Sequence, residues 1–149
     1  MEGLMRIITL GTFDILHHGH LALLKFCKGL AGEDNFIVGL NSDFFVKQFK
    51  GKKPTMSFEE RRKTLRLLPW VDEVVRNFQP EENAGRTIVN SGAKLAVIGM
   101  DWLRKDILKQ WGVTSEWLDD LGISVCFFPF YNSKGISSSI IKERVRKSA

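Results

Sequence analysis

The apolar positions of the chain fall into two alternating kinds of segment. One is a short β-branched or continuous run, the other a longer stretch with a helical repeat. Residues 6–10, "RIITL", read as a strand that stops at Gly11. From His20 to Leu30 the apolar residues Leu21, Leu24, Phe26 and Cys27 mark a helix, punctuated by Gly29 and Gly32. Residues 35–43 predict a buried strand with a polar break after it, and residues 51–56, "GKKPTM", a loop. Ser57 and Glu60 form a capping box for a helix that runs to Leu68, before Pro69. Further strands are predicted over 71–75, 94–99 and 123–130, and helices over 80–92, 101–111, 115–122 and 137–147. No repeat, low-complexity tract or linker interrupts the series, so residues 1–149 are expected to form a single domain. Strand and helix alternate throughout, which predicts an α/β fold: a Rossmann-like parallel sheet with helices on both faces. In such sheets ligands bind outside the carboxyl ends of the strands, where the strand order switches. The residues to interrogate are therefore Gly11–His20, Asn41–Asp43, Gly99–Trp102 and Tyr131–Ser139.

Composition adds exclusions. Hydrophobic residues make up 44% and charged residues 26%, a balance that excludes wholesale disorder. No apolar stretch approaches the length of a membrane span, and the first ten residues read as a strand rather than an export signal. Cys27 and Cys126 lie within apolar patterns, which suits reduced thiols in the cytoplasm. The net charge of +5 fits a nucleic acid or a small anionic substrate. The basic runs 47–53, 61–63 and 142–147 carry no interleaved aromatic platform, so nucleic acid is not the expected partner.

All three histidines of the chain, His17, His18 and His20, fall at one helix start. His17 and His20 are three apart, which lets both face one object, and Gly19 allows a close approach. A helix start also offers unpaired N–H groups and partial positive charge. The simplest object is a phosphate. A zinc site and plain structural histidines are the competing readings; no cysteine cluster and no carboxylate but Asp14 lies nearby.

Gly11-Thr12-Phe13-Asp14 followed by His17-His18-Gly19-His20 resembles the GTFD…HxGH signature of the nucleotidylyltransferase superfamily. The likeness is greatest to its cytidylyltransferase branch and the glycerol-3-phosphate cytidylyltransferases within it. Further matches follow in chain order: "KGKK" (50–53), "SFEERRKTL" (57–65) with "VDEV" (71–74), "GMDW" (99–102) and "GISSSIIKERV" (135–145). The resemblance implies attack of a phosphomonoester on the α-phosphorus of a nucleoside triphosphate, with CTP the expected nucleotide and pyrophosphate the product. It implies that His17 and His20 contact the triphosphate, with Lys50, Lys52 and Arg61 as further catalytic contacts. Gly11, Thr12, Phe13, Asp14 and Gly19 are implied beside the nucleotide, Asp14 as an organiser rather than a base. Asp101 and Trp102 are implied near the base. Lys134, Gly135, Ile136, Ser137, Ser138 and Ser139 are implied at the phosphates. Mg²⁺ is expected to come with the triphosphate, without a dedicated set of protein metal ligands. A homodimer is expected from the family.

The chain departs from the family pattern at three places. Asn132 and Pro69 stand where arginines are usual, and Met100 replaces the first acid of the G-acid-acid-Trp turn. Lys134 is expected to replace the charge missing at Asn132. An adenylyltransferase of the same superfamily and an inactive nucleotide-binding protein are the alternatives; His17 favours the cytidylyl branch.

Overall fold

The computed structural model describes residues 5–33, 35–99, 106–128 and 138–148. Strands β1 (Ile7–Gly11), β2 (Phe36–Leu40), β3 (Glu73–Arg76), β4 (Leu95–Gly99) and β5 (Ser124–Phe128) form one sheet in the order β3-β2-β1-β4-β5. Every neighbouring pair is parallel. Helices α1 (His18–Ala31), α2 (Asp43–Lys50), α3 (Phe58–Arg66), α4 (Ala84–Ser91), α5 (Ile107–Trp111), α6 (Ser115–Asp120) and α7 (Ser138–Ser148) connect or follow the strands.

Alternation along the strands builds the two layers. Ile7, Phe36, Val38 and Val97 face one way and pack with Leu24, Cys27 and Ala31 of α1 and Leu65 of α3. Ile8, Ile37, Ala96 and Ile98 face the other way and meet Ile88 of α4, Trp111 of α5 and Leu118 of α6. Such strands, covered on both faces, carry apolar residues at successive positions, which is why the runs looked continuous in sequence.

Several helices differ from expectation, and α3 ends at Arg66 rather than Leu68. Helix α2 replaces the stretch between the polar break and the loop, where no helix was predicted. Ser42 caps it, accepting the Phe45 N–H at 3.0 Å, and Gly51 ends it at φ +85°. The helix predicted over 80–92 starts only at Ala84. Asn83 is its cap, so Glu81 and Glu82 precede the helix rather than charge its first turn. Of the helix predicted over 101–111, α5 supplies the last turn; residues 101–105 lie outside the described residues.

The sheet opens where the site lies. β1 pairs with β2 as far as Gly11, and β4 with β5 as far as Gly99. Between β1 and β4 the register stops at Ile8–Ala96. Beyond it the Thr9 hydroxyl donates to the Val97 carbonyl at 2.7 Å, so a side chain satisfies an acceptor that the neighbouring backbone has left. The strand order switches at this gap, since β2 and β3 lie on one side of β1 and β4 and β5 on the other.

Candidate active site

A cavity of about 1030 Å³ occupies the gap. Its floor is the ends of β1 and β4, with Thr9, Leu10, Gly11, Ile98 and Gly99. Helix α2 contributes Phe45, Val46, Phe49 and Lys50 to the wall, and the following loop Lys52 and Lys53. Helix α5 adds Ile107 and Trp111, and α7 adds Lys142, Glu143 and Arg146. Among the described lining residues the cations outnumber the carboxylates, which suits a polyanion.

The turn after β1 is built by four consecutive residues, Gly11 to Asp14. A Cβ on Gly11 would lie 2.8 Å from Phe13 Cε2, so glycine is what lets the Phe13 ring fold back onto the strand end. Phe13 takes φ +49°, a left-handed value unusual for a bulky residue, and is buried with its ring centroid 5.3 Å from that of His20. The Thr12 hydroxyl accepts from Asn41 Nδ2 at 3.1 Å. Asp14 is buried, and its carboxylate accepts the Thr55 N–H at 2.7 Å, the Met56 N–H at 2.8 Å and the Lys142 ammonium. Burial pushes its pKa up, but the Lys142 contact and the two backbone N–H groups outweigh this and hold it below the ordinary carboxylate value. Asp14 is thus an ionised organiser with both oxygens engaged.

The histidines form the N-terminal cap of α1. His17 Nδ1 accepts the Gly19 N–H at 3.1 Å, and His20 Nδ1 accepts the His17 N–H at 3.3 Å. This is a reciprocal capping box in which imidazoles take the places usually held by Ser or Thr and Glu or Gln. The rings stack with centroids 3.9 Å apart and an interplanar angle of 27°. Because both Nδ1 atoms accept, the neutral rings carry their protons on Nε2. Burial, then the neighbouring His17 and Lys50, push His20 down to about 4, with the Ile15 carbonyl opposing. Burial and His18 lower His17 as well. Both rings are therefore neutral donors at pH 7, and the cavity's positive charge comes from its lysines and Arg146. His20 lines the cavity, His17 stacks against it, and His18 is exposed.

Lys50 and Lys52 line the cavity. Arg61 does not, and the expectation of a direct catalytic contact from it gives way to a supporting role. It is fully buried. Its guanidinium donates to the carbonyls of Met56, Thr12 and Asn41 at 3.0, 2.8 and 2.9 Å and to Asp43 Oδ1 at 2.6 Å. It binds together the ends of β1 and β2, the lysine loop and the start of α2. Gly19 gives its N–H to His17. Ser138 and Ser139 begin α7, with their side chains outside the description. Met100, Asp101, Trp102, Asn132, Lys134, Gly135, Ile136 and Ser137 lie outside the described residues. Among the described residues no group of three or more His, Cys, Asp or Glu is arranged to hold a metal ion.

The sequence reading did not single out Lys142, Lys53, Asn77 or Gln79. Asn77 is buried; its Nδ2 donates to Asn41 Oδ1 at 2.8 Å and to Gln79 Oε1 at 3.1 Å. Gln79 Nε2 in turn donates to the Gln110 carbonyl at 2.9 Å, joining the end of β3 to α5. The signal for Asn77 and Gln79 was their position just after strand β3, at the end of the sheet expected to bind ligand.

The family model described as cytidylyltransferase-like matches residues 8–144. A glycerol-3-phosphate cytidylyltransferase of Bacillus subtilis is 35% identical over 144 residues, 94% of this chain and 96% of that protein. The bifunctional protein HldE of Helicobacter pylori (strain P12) is 34% identical over 143 residues, 95% of this chain but 28% of that longer protein. A crystal structure described as the lipopolysaccharide core biosynthesis protein from Thermoplasma volcanium superposes with a TM-score of 0.69 at 24% identity, over 87% of this chain and all of that one, a likeness of fold. With the GTFD turn, the histidine cap and the basic cavity in family order, the chain belongs to the cytidylyltransferase-like family and is a nucleotidyltransferase.

Proposed function

We propose that the cavity takes CTP and a small phosphorylated alcohol, such as glycerol 3-phosphate, and joins them. A phosphate oxygen of the alcohol bonds to the α-phosphorus of CTP. The bond from that phosphorus to the oxygen bridging to the β-phosphate breaks, and pyrophosphate leaves with that electron pair. The nucleophile is an oxygen already ionised at neutral pH, since a phosphomonoester loses its second proton near about 6. No general base is then required, which agrees with an Asp14 whose oxygens are occupied by Lys142, Thr55 and Met56.

The observation that carries this reading is the histidine capping box at the mouth of the cavity. Its Nδ1 bonds orient two Nε2–H donors, and His20 presents its ring to a space also walled by Lys50, Lys52, Lys53 and Lys142. Donors fixed before the reaction strengthen their bonds as charge builds on the phosphoryl oxygens, without reorganising. The lysines hold the remaining negative charge and orient the phosphates.

Mg²⁺ belongs to this reading as a companion of the triphosphate. Asp14 is held by Lys142, Glu143 by Arg146, and Asp106 accepts the Lys109 N–H, so the described carboxylates of the cavity do not form a ready ligand set. A cation coordinated mainly by phosphate oxygens and water fits them; a protein cage does not. A homodimer acting in the cytoplasm completes the reading. No helix of the described residues is long and apolar enough to cross a membrane.

Pyrophosphate release tests the proposal, with CTP, ATP, GTP and UTP each offered against a panel of phosphomonoesters. CTP with glycerol 3-phosphate or a close analogue is expected to give the highest kcat/KM. A tenfold preference for ATP would move the chain to the adenylyl branch. Nucleotide binding without pyrophosphate from any pair would make it a binding protein.

A further inference from the structure

Helix α7 ends in a basic run whose last members, Arg144, Arg146 and Lys147, are exposed. Lys142 departs from them. Its ammonium reaches back 128 positions to Asp14 Oδ2, in a residue only 5% exposed. The same oxygen accepts the Thr55 N–H, and Oδ1 accepts the Met56 N–H. Those two residues end the loop that carries Lys52 and Lys53, and all three lysines line the cavity. The Met56 carbonyl and that of Thr12 accept in turn from Arg61. One carboxylate thus ties the turn after β1 to the lysine loop and to α7. The loop has no regular secondary structure, so its position rests on such bonds.

We propose that Lys142 is a positioning residue of the transfer site: by gripping Asp14 it holds α7 and the lysine loop at one spacing across the cavity. The reaction needs the lysines of the loop, the histidine donors and the start of α7 around one triphosphate. Displacing one such group by about 1 Å costs on the order of 100-fold in rate. A lysine suits the task as a point charge with several donors, able to bind Asp14 and still face the cavity. The kinetic consequence rests on the transfer reading; the mechanical one does not.

The test has two arms, using Lys142→Met, Lys142→Arg, Asp14→Asn and the Lys142→Met/Asp14→Asn double variant. Amide exchange of the intact chain, with no substrate added, reads the tether. Lys142→Met is expected to speed exchange at Thr55 and Met56 by about tenfold, the loss of one charged hydrogen bond, and to leave Val38 in the sheet unchanged. Unchanged exchange at Thr55 and Met56 would overturn the proposal whatever the substrate is. Pyrophosphate release from CTP and glycerol 3-phosphate reads the coupling. Lys142→Met should lower kcat by about 10–100-fold with a smaller effect on KM, and Lys142→Arg should restore part of it. The double variant should be no slower than the slower single variant by more than about threefold. Losses that multiply would show that Lys142 acts on the substrate independently of Asp14, and would also overturn the proposal. If Asp14→Asn fails to fold, the exchange data and the methionine–arginine comparison at Lys142 still decide. A wild-type chain inactive on CTP would count against the proposed substrates, while the exchange arm stands.

Discussion

His20 does two jobs with one ring. Its Nδ1 closes the cap of α1, and its Nε2–H is the donor that the proposed reaction turns toward a phosphate. The first job requires an unprotonated Nδ1, and burial enforces this by holding the pKa near about 4 against an ordinary 6.5. The unfolded chain takes up a proton at this residue below about pH 6.5, whereas the folded chain does so only near 4. Acid across that window therefore favours the unfolded state, by up to roughly 3 kcal/mol at one pKa unit per 1.4 kcal/mol. The melting temperature is expected to fall between pH 7 and 4 more steeply in the wild type than in His20→Gln, a variant that keeps an acceptor but does not titrate. Parallel profiles in a thermal melt series would show that the ring titrates in the folded protein as it does in the unfolded one.

Elements differ in how legibly the sequence announces them. The capping box Ser57–Glu60 appears as read, with the Glu60 N–H 3.2 Å from Ser57 Oγ. Helix α2 was missed because its aromatic residues do not form one stripe: Phe45 and Val46 are buried while Phe44 and Phe49 are exposed. Its end signals, Ser42 and Gly51, are both present in the sequence. Arg61 was read as facing substrate, yet it lies four positions before the buried Leu65, on the same side of α3. That spacing could have placed it inside. Lys142 had no local signal, because its partner is 128 residues away. The burial of Arg61 has a measurable consequence. Arg61→Met would leave three carbonyls and Asp43 without this donor. At about 1–3 kcal/mol for an unsatisfied buried group, with some relaxation and water entry, the loss is expected to be on the order of 3 kcal/mol. Denaturant unfolding should show it as a lower midpoint; a change below about 1 kcal/mol would mean that the strut is dispensable.

Across the whole molecule, the switch in strand order is what makes a site out of these parts. The divergence of β1 from β4 past Ile8 and Ala96 opens the sheet where the histidine cap, the lysine loop and α7 converge. The alternating pattern foretold the gap in the sheet, and the GTFD and HxGH motifs pointed to the nucleotidyltransferase family that the chain belongs to. Sequence periodicity alone did not foretell which cations line the cavity and which hold it together, since that distinction depends on contacts between distant segments. The most direct test of the account is a ³¹P measurement of pyrophosphate and nucleotidyl-alcohol formation from CTP and glycerol 3-phosphate, run on the wild type, His17→Ala and His20→Ala. The wild type should form both products in equal amounts. Each variant should keep the wild-type circular dichroism and lose about 10²–10³-fold in kcat, the range for removing a preorganised transition-state donor. Wild-type turnover in a folded His20→Ala would contradict the account.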